Sequence, residues 1–496
     1  MRKTLQRMLG ILVLCAMLAG SLTIPAAAAG FQDVPANHWA GESIRRCVEN
    51  GFFKGQTETR FGLGQNMSRS AFAVVLCRFF GWETGVPTEQ TYSDVPVDAW
   101  YAGAVEAAYK QGALTRQPST FRPNDPITRE ELTVMLVRAL GYDQIAGLAQ
   151  DLPMPFEDVT TNGGYITMAY DLGVVNGTTA TTFSPDRTAT REQVAVMLMR
   201  LYDKLNAAQP ETIGIVSEMS DLTGLDIAAI PAARAFSFGI KEAMASETLA
   251  EIRTAVHEAG VKEFLYMHGA ANLLGKESKE LSAMMAEAVK NGGYDGLILD
   301  IPQVAQSKAP VLSEMVQLLG QQLGDIPFYL VVEAPSRAGK NYGGYEYATL
   351  AAAADKLILR VAAVEQATND FATAPVSPPE ELHYAVASVT EQVGVERLSV
   401  MLDSELYSWT RSNRLDLSAA DLEKLLAADS TQTYHSDRYV CSYLISGGQT
   451  GTPTTVWYLT QQDVESRVQL IKSMGIDQIC VSDWDKMTEA FAAGLK

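Results

Sequence analysis

A surplus of positive charge is the first thing this chain lacks. Its 496 residues carry 39 Lys and Arg against 58 Asp and Glu, a formal net charge of −19. That balance excludes the basic patch a nucleic-acid partner needs and gives a soluble, self-repelling surface. Cysteine and histidine are scarce, at five each. No two cysteines have the close CxxC spacing of a metal or redox motif. His38, His257, His268, His383 and His435 show no ligand spacing either. Neither a zinc site nor any other cofactor is expected. Beyond the first 29 residues no apolar run is long enough to span a bilayer. What is present is core-forming material: 47% apolar and 20% charged residues, in a length that suits two or three domains.

Residues 1–29 read as a secretory signal. Arg2, Lys3 and Arg7 are its basic region, Met8–Gly20 its apolar core, and Ala27-Ala28-Ala29 its cleavage site. Cys15 leaves with it. Of the remaining cysteines, Cys47 and Cys77 fall on apolar helix faces and Cys480 in a strand. They read as buried free thiols. A Cys47–Cys77 disulfide is the alternative that export permits.

Residues 31–205 repeat with a period of about 60. The unit opens Phe31-Gln32-Asp33-Val34, then Tyr92-Ser93-Asp94-Val95, then Phe156-Glu157-Asp158-Val159. An aromatic follows near the start of a first helix: Trp39, Trp100, Tyr165. A loop ends in Phe61, Phe121 or Phe183. Eight residues on, Arg69, Arg129 or Arg191 opens a second helix. In the second copy Leu132, Met135, Leu136, Ala139 and Leu140 mark one helical face. Thr128 with Glu131, and Thr190 with Gln193, are capping boxes. Ser68 faces Ala71 and keeps only the cap.

A cation in the first helical turn meets the positive end of the macrodipole, at a cost of about 0.3–1 kcal/mol. Three such arginines call for partners. Two readings stay open on the residues alone. One is internal pairing with Asp33, Asp94 and Asp158. The other is an anionic ligand held by the guanidinium and the free helix N–H groups.

The Phe-x-Asp-Val opening, Trp39 and Trp100, the Phe-x-Pro loop (Phe121-Arg122-Pro123; Phe183-Ser184-Pro185) and Thr-Arg-Glu resemble S-layer homology repeats. The resemblance implies a three-repeat helical module, over residues 30–90, 91–153 and 154–205. It implies an exported protein of the bacterial cell wall or S-layer. The partner it implies is secondary cell-wall polysaccharide, often through a pyruvylated, anionic sugar. Arg129 and Arg191 become the best ligand arginines, with Arg69 next, and Trp39 and Trp100 the walls for sugar packing. The first copy departs from the pattern at Ser70-Ala71 and Leu63, and the third lacks the Trp.

Residues 206–212 read as a linker. The stretch 213–496 alternates strands and helices and suits a (β/α)8 barrel, with an open doubly wound sheet as the alternative. The expected strands are Thr212–Val216, Ala233–Ile240, Lys262–Met267, Leu297–Asp300, Pro327–Glu333, Lys356–Val361, Leu398–Leu402 and Asp477–Val481. Asp295-Gly296-Leu297-Ile298-Leu299-Asp300-Ile301-Pro302 resembles the DGxDxDxE strand of glycoside hydrolase family 18, the chitinase-like barrels. Tyr345–Leu350, Val456-Trp457-Tyr458 and Trp484 extend that resemblance toward cell-wall hydrolases of the family.

The departures fall on chemistry. The middle Asp is Ile298, and the proton-donating Glu is Pro302. Where the family has Met-x-Tyr-Asp, this chain has Arg360-Val361-Ala362-Ala363. Substrate-assisted hydrolysis needs an acid and groups that orient the acetamido oxygen. A displaced acid would be sought at Glu333, Asp403 or Glu405. Trp484, Tyr407 and Trp409 are candidates for stacking on peptidoglycan or another GlcNAc-containing glycan. Three readings compete: a non-catalytic glycan-binding surface protein, a glycosidase using Asp300 with a displaced acid such as Glu333, and a protein–protein scaffold.

Overall fold

The structure is a computed structural model and describes residues 30–275, 277–337, 339–361, 377–410, 413–447 and 453–496. The signal segment 1–29 and Ala362-Ala363 lie outside the described residues. Two units are present, dividing after Asn206.

The first unit holds two principal helices per repeat. These are α1 (Gly41–Glu49), α2 (Arg69–Phe80), α3 (Ala102–Lys110), α4 (Arg129–Ala139), α5 (Gly163–Asp171) and α6 (Arg191–Leu205). Helix α4 forms where expected. Leu132, Met135 and Leu136 recur at helical spacing and are buried, each worth roughly 1.5–3 kcal/mol. Thr128 and Glu131 exchange both capping-box bonds. In the third copy Gln193 accepts the Thr190 N–H at 3.1 Å. Just before α2, α4 and α6 the backbones meet. Met67 N–H donates to the Ala189 carbonyl (2.9 Å), Ala189 to Ile127 (2.9 Å) and Ile127 to Met67 (2.8 Å). This cycle of three bonds joins the copies head to tail. Cys47 and Cys77 are free and buried. Their thiols point at different carbonyls, Ala195 and Ala104, and burial pushes both up to about 12.

The second unit contains β1 (Glu211–Ile215), β2 (Ile227–Phe236), β3 (Gly239–Glu242), β4 (Lys262–Gly269), β5 (Gly296–Asp300), β6 (Phe328–Glu333), β7 (Lys356–Arg360), β8 (Leu398–Leu402), β9 (Leu406–Thr410), β10 (Asn413–Leu417), β11 (Gln432–Ser436), β12 (Cys441–Ser446), β13 (Thr454–Tyr458) and β14 (Gln478–Val481). Strands β1, β2, β4, β5, β6, β7, β8 and β14 pair in parallel in that order, and β14–β1 pairing closes the ring. It is a (β/α)8 barrel. Every strand sends an apolar side chain inward, among them Ile213, Phe264, Ile298, Val331, Ile358, Met401 and Cys480. Ile298 thus completes an apolar layer that an Asp would interrupt. Gly296 is required by close packing, because a Cβ there would lie 2.4 Å from the Phe264 ring.

One expectation needs correction. The second barrel strand is Ile227–Phe236, not Ala233–Ile240. The chain turns at residues 237–238, and β3 returns antiparallel from Phe236↔Gly239 to Ala233↔Glu242. The apolar run Ile227-Ala228-Ala229-Ile230 is the buried parallel strand, and the hairpin is its extension past the mouth. Val456-Trp457-Tyr458 precedes the helix Gln461–Ser473 that leads into the eighth barrel strand. It belongs to a five-stranded antiparallel sheet, β10-β9-β13-β12-β11, inserted between β8 and the helix Gln461–Ser473. The helix Ala419–Ala427 packs on it through Leu422, against Leu444 and Val456.

Candidate functional sites

In the repeat module the three arginines do not pair with Asp33, Asp94 and Asp158. Each reaches the loop of the next repeat. Arg69 Nε donates to the Phe121 carbonyl (2.7 Å), Arg129 Nε to Phe183 (2.9 Å) and Arg191 Nε to Phe61 (2.9 Å). Each guanidinium also covers the same phenyl ring, at 4.9, 4.4 and 4.8 Å from the centroid, a cation–π contact. The aspartates hold those loops from the other side. Asp33 accepts from Phe61, Gly62 and Leu63 N–H, Asp94 from Phe121 and Arg122, and Asp158 from Phe183 and Ser184, at 2.7–3.0 Å. Burial raises the Asp33 carboxyl, but its backbone donors outweigh that and hold it below the usual range. The Phe183 N–H does the same for Asp158. The residue after each phenylalanine is left-handed: Gly62 at φ 91°, Arg122 at 58°, Ser184 at 60°. Two of these are not glycine, so the carboxylate clamp holds them in a sparsely populated region. Nothing in the sequence pattern signalled this except the invariable Asp of the opening tetrapeptide.

The helix N–H groups are also spent. Arg69, Arg129 and Arg191 N–H donate to the Asp125, Arg187 and Gln65 carbonyls. The first N–H of each of these helices is therefore not open to a ligand. The aromatic walls are available: Trp39 and Trp100 are 63% and 70% exposed. Tyr165 in the third copy is engaged, its hydroxyl bonded to Asp143 and its ring under Arg138.

At the barrel mouth the strand ends place Asp300, Glu333 and Arg360 together. Asp300 is 1% exposed. Its Oδ2 accepts from the Tyr266 hydroxyl and from Arg360 Nη2 (2.5 Å), with His268 Nδ1 at 3.4 Å. Arg360 Nη1 continues to Glu333 Oε1 at 3.2 Å. Burial pushes the Asp300 carboxyl up. The Arg360 charge, then the bonds from His268, Arg360 and Tyr266, pull it down to about 2. Asp300 Oδ1 is buried without a partner. Pro302 is half-buried just beyond and has neither proton nor acceptor.

Of the other expected groups, Glu333 is tied to Arg360 and 7% exposed. Burial pushes Asp403 and Glu405 up, and the Asp403 charge adds to the effect on Glu405. Trp484 is 6% exposed. Its indole N–H donates to the Asp221 carbonyl at 2.7 Å, and its ring lies over Gly214, where a Cβ would be 2.7 Å away. It closes the barrel over β1 and presents no open face to a sugar. Tyr407 and Trp409 stand on β9 of the inserted sheet. Trp409 is buried, Tyr407 bonds Glu405, and Arg414 lies over both rings. Arg360 was the missed residue. It was legible only as a departure from a motif, because nothing local tells a strand-end arginine to turn inward.

One acid-limb prediction arises here. Folding lowers the Asp300 pKa, from about 3.9 in an unfolded chain. Its stabilisation is full above that value and disappears as pH falls through about 2. Roughly 2–3 kcal/mol is expected to be lost across that window. Urea unfolding of wild type between pH 5 and 2, followed in the barrel, should show this limb, and Asp300→Asn should flatten it. Parallel curves for the two proteins would refute the ion pair.

The sequence model of the S-layer homology domain matches residues 30–73, 91–133 and 155–195. An S-layer protein of Bacillus thuringiensis subsp. finitimus is 28% identical over 188 residues, 37% of this chain and 23% of that protein. The chain spans 10–23% of the length of the first three curated relatives it matches. Two solved structures are similar to it. A chitinase from Chromobacterium violaceum has TM-score 0.52 and 16% identity, over 58% of this chain and 98% of that one. The spore cortex-lytic enzyme SleL of Bacillus cereus has TM-score 0.51 and 12% identity, over 58% and 74%. At such identities they establish the barrel fold alone. Three S-layer homology repeats mark a secreted protein of the bacterial cell wall or S-layer, and domains of that family bind cell-wall polysaccharide. Among the described residues no helix is long and apolar enough to cross a membrane.

Proposed function

We propose that residues 30–205 anchor this protein non-covalently to an anionic secondary cell-wall polysaccharide, and that the barrel it displays, residues 213–496, is non-catalytic. The first part is supported by the repeats with their desolvated arginines and exposed tryptophans. The second is carried by one observation: the strand-end carboxylate is locked to Arg360, with Pro302 where an acid would stand. General acid–base catalysis contributes typically 10²–10⁴-fold. A carboxylate held at about 2 has no proton to give at neutral pH. Glu333, the displaced acid of the competing reading, faces the same guanidinium. A GlcNAc-containing glycan remains the class of ligand the fold suits, although Trp484 offers no platform for it.

The test is single-turnover hydrolysis of a labelled GlcNAc-containing oligosaccharide and of peptidoglycan fragments, with wild type beside Asp300→Asn. Neither protein is expected to cleave. Cleavage by wild type that disappears in Asp300→Asn would overturn the reading. A specific observation then points to the acid: Asp403 and Glu405 are the mouth carboxyls pushed upward, as a proton donor requires.

A further inference from the structure

The three seams between repeats share one geometry but not one charge. In two of them the second guanidinium arm takes a carbonyl. Arg129 Nη2 donates to Asn176 (2.7 Å) and Arg191 Nη2 to Lys54 (2.8 Å). The corresponding carbonyl in the remaining seam is that of Thr115, and it is already taken. The Tyr92 hydroxyl donates to it at 2.6 Å. Tyr92 stands where the other copies have Phe31 and Phe156, which carry no hydroxyl. Arg69 instead turns to Glu131, with Nη1 at 2.9 Å from its carboxylate. Glu131 also pairs with Arg122. The residues at the matching helix position in the other seams are Gln193 and Ala71, both neutral.

We propose that the module offers two anion seats, at Arg129 and at Arg191, and that Glu131 closes the third by serving as the counter-ion of Arg69. This rests on the anchoring reading above and says which seams perform it. Among the described residues no carboxylate lies within ion-pair distance of Arg129 or Arg191. The nearby acids are committed to backbone: Asp33 and Asp158 to the phenylalanine loops, and Glu192 to the Gly64 N–H at 3.0 Å. Burial pulls both guanidinium groups below their usual value, outweighing the more distant charges of Asp158 at Arg129 and of Asp33 and Glu192 at Arg191, as desolvation of a cation does. An incoming carboxylate supplies that charge. At Arg69 the same carboxylate would approach Glu131, and like charges about 4 Å apart repel by about 1–4 kcal/mol at effective dielectric constants of 80 to 20. Two seats on one anchor already give avidity, so a third is not needed for retention.

The test is calorimetric titration of the full chain with a monosaccharide bearing a pyruvate ketal. Wild type is expected to bind two, and Glu131→Gln three, the new site within about tenfold of the others. Gln193 already accepts the equivalent N–H in the third copy, so this substitution keeps that bond at the helix start. Arg69→Ala should leave wild-type stoichiometry at two and return Glu131→Gln to two. Three sites on wild type, two on Glu131→Gln, or no binding of the probe would each overturn the proposal. Failure of the anchoring reading shows separately, as wild type that does not sediment with isolated walls.

Discussion

Replacing Arg129 and Arg191 together by alanine releases the protein from isolated cell walls, with affinity falling at least 100-fold. Each arginine is expected to make a charge-assisted contact worth about 1.5–3 kcal/mol, and the two losses act on one multivalent anchor. The same substitutions cost the fold something. Arg129→Ala leaves the Phe183 and Asn176 carbonyls without their donor, and Arg191→Ala does so for Phe61 and Lys54. Each orphaned acceptor costs about 1–3 kcal/mol if it stays dry. Wall sedimentation is therefore read beside near-UV circular dichroism and resistance to trypsin. A double variant that keeps its tertiary signature and loses the wall supports the ligand role. One that folds and still binds fully sinks that role, leaving the arginines as clamps between repeats.

Arg360→Met is expected to destabilise the barrel by about 3–5 kcal/mol, because it strands a buried carboxylate without its counter-ion. Met is of similar length and removes the charge together with the two hydrogen bonds Arg360 donates. Asp300 then loses the strongest of the influences that hold its carboxyl at about 2, and its titration should move upward. Glu333 loses its partner in the same step. Calorimetry reads the stability, and a carboxyl-resolved NMR titration reads the proton. An unchanged melting temperature would mean that the ion pair does not hold the mouth. Hydrolysis is not expected to appear in this variant, since Pro302 still supplies no acid.

The sequence alone determined the elements whose signal is local. The repeats were legible because each copy rewrites one set of caps and apolar positions. Thr128–Glu131 and the Leu132, Met135, Leu136 face specify a helix start whatever surrounds them. The parallel strands were legible for a similar reason: Gly296–Asp300 is apolar because both faces are buried, and the run ends at a carboxylate. The β2–β3 hairpin and the inserted sheet were not legible. Strands of five residues with mixed burial carry little periodic signal, and their pairing joins residues far apart in sequence, as Val456 with Ser408 does.

The tertiary structure decided the partners of charged groups. From the sequence, Arg69, Arg129 and Arg191 could have met the aspartate of their own repeat. Closure of three copies into a ring instead brings each one to the carbonyl of the next. Tyr92 and Glu131 then separate one seam from the other two by a single hydroxyl and a single carboxylate. In the barrel the sequence showed that Asp300 had lost its neighbours. Only the adjacent order of β5, β6 and β7 put Arg360 against it, and only the β14–β1 pairing put Trp484 across Gly214. Local sequence sets backbone propensity within a few residues, whereas the free energy of a buried charge is set by whatever the fold places within about 4 Å of it.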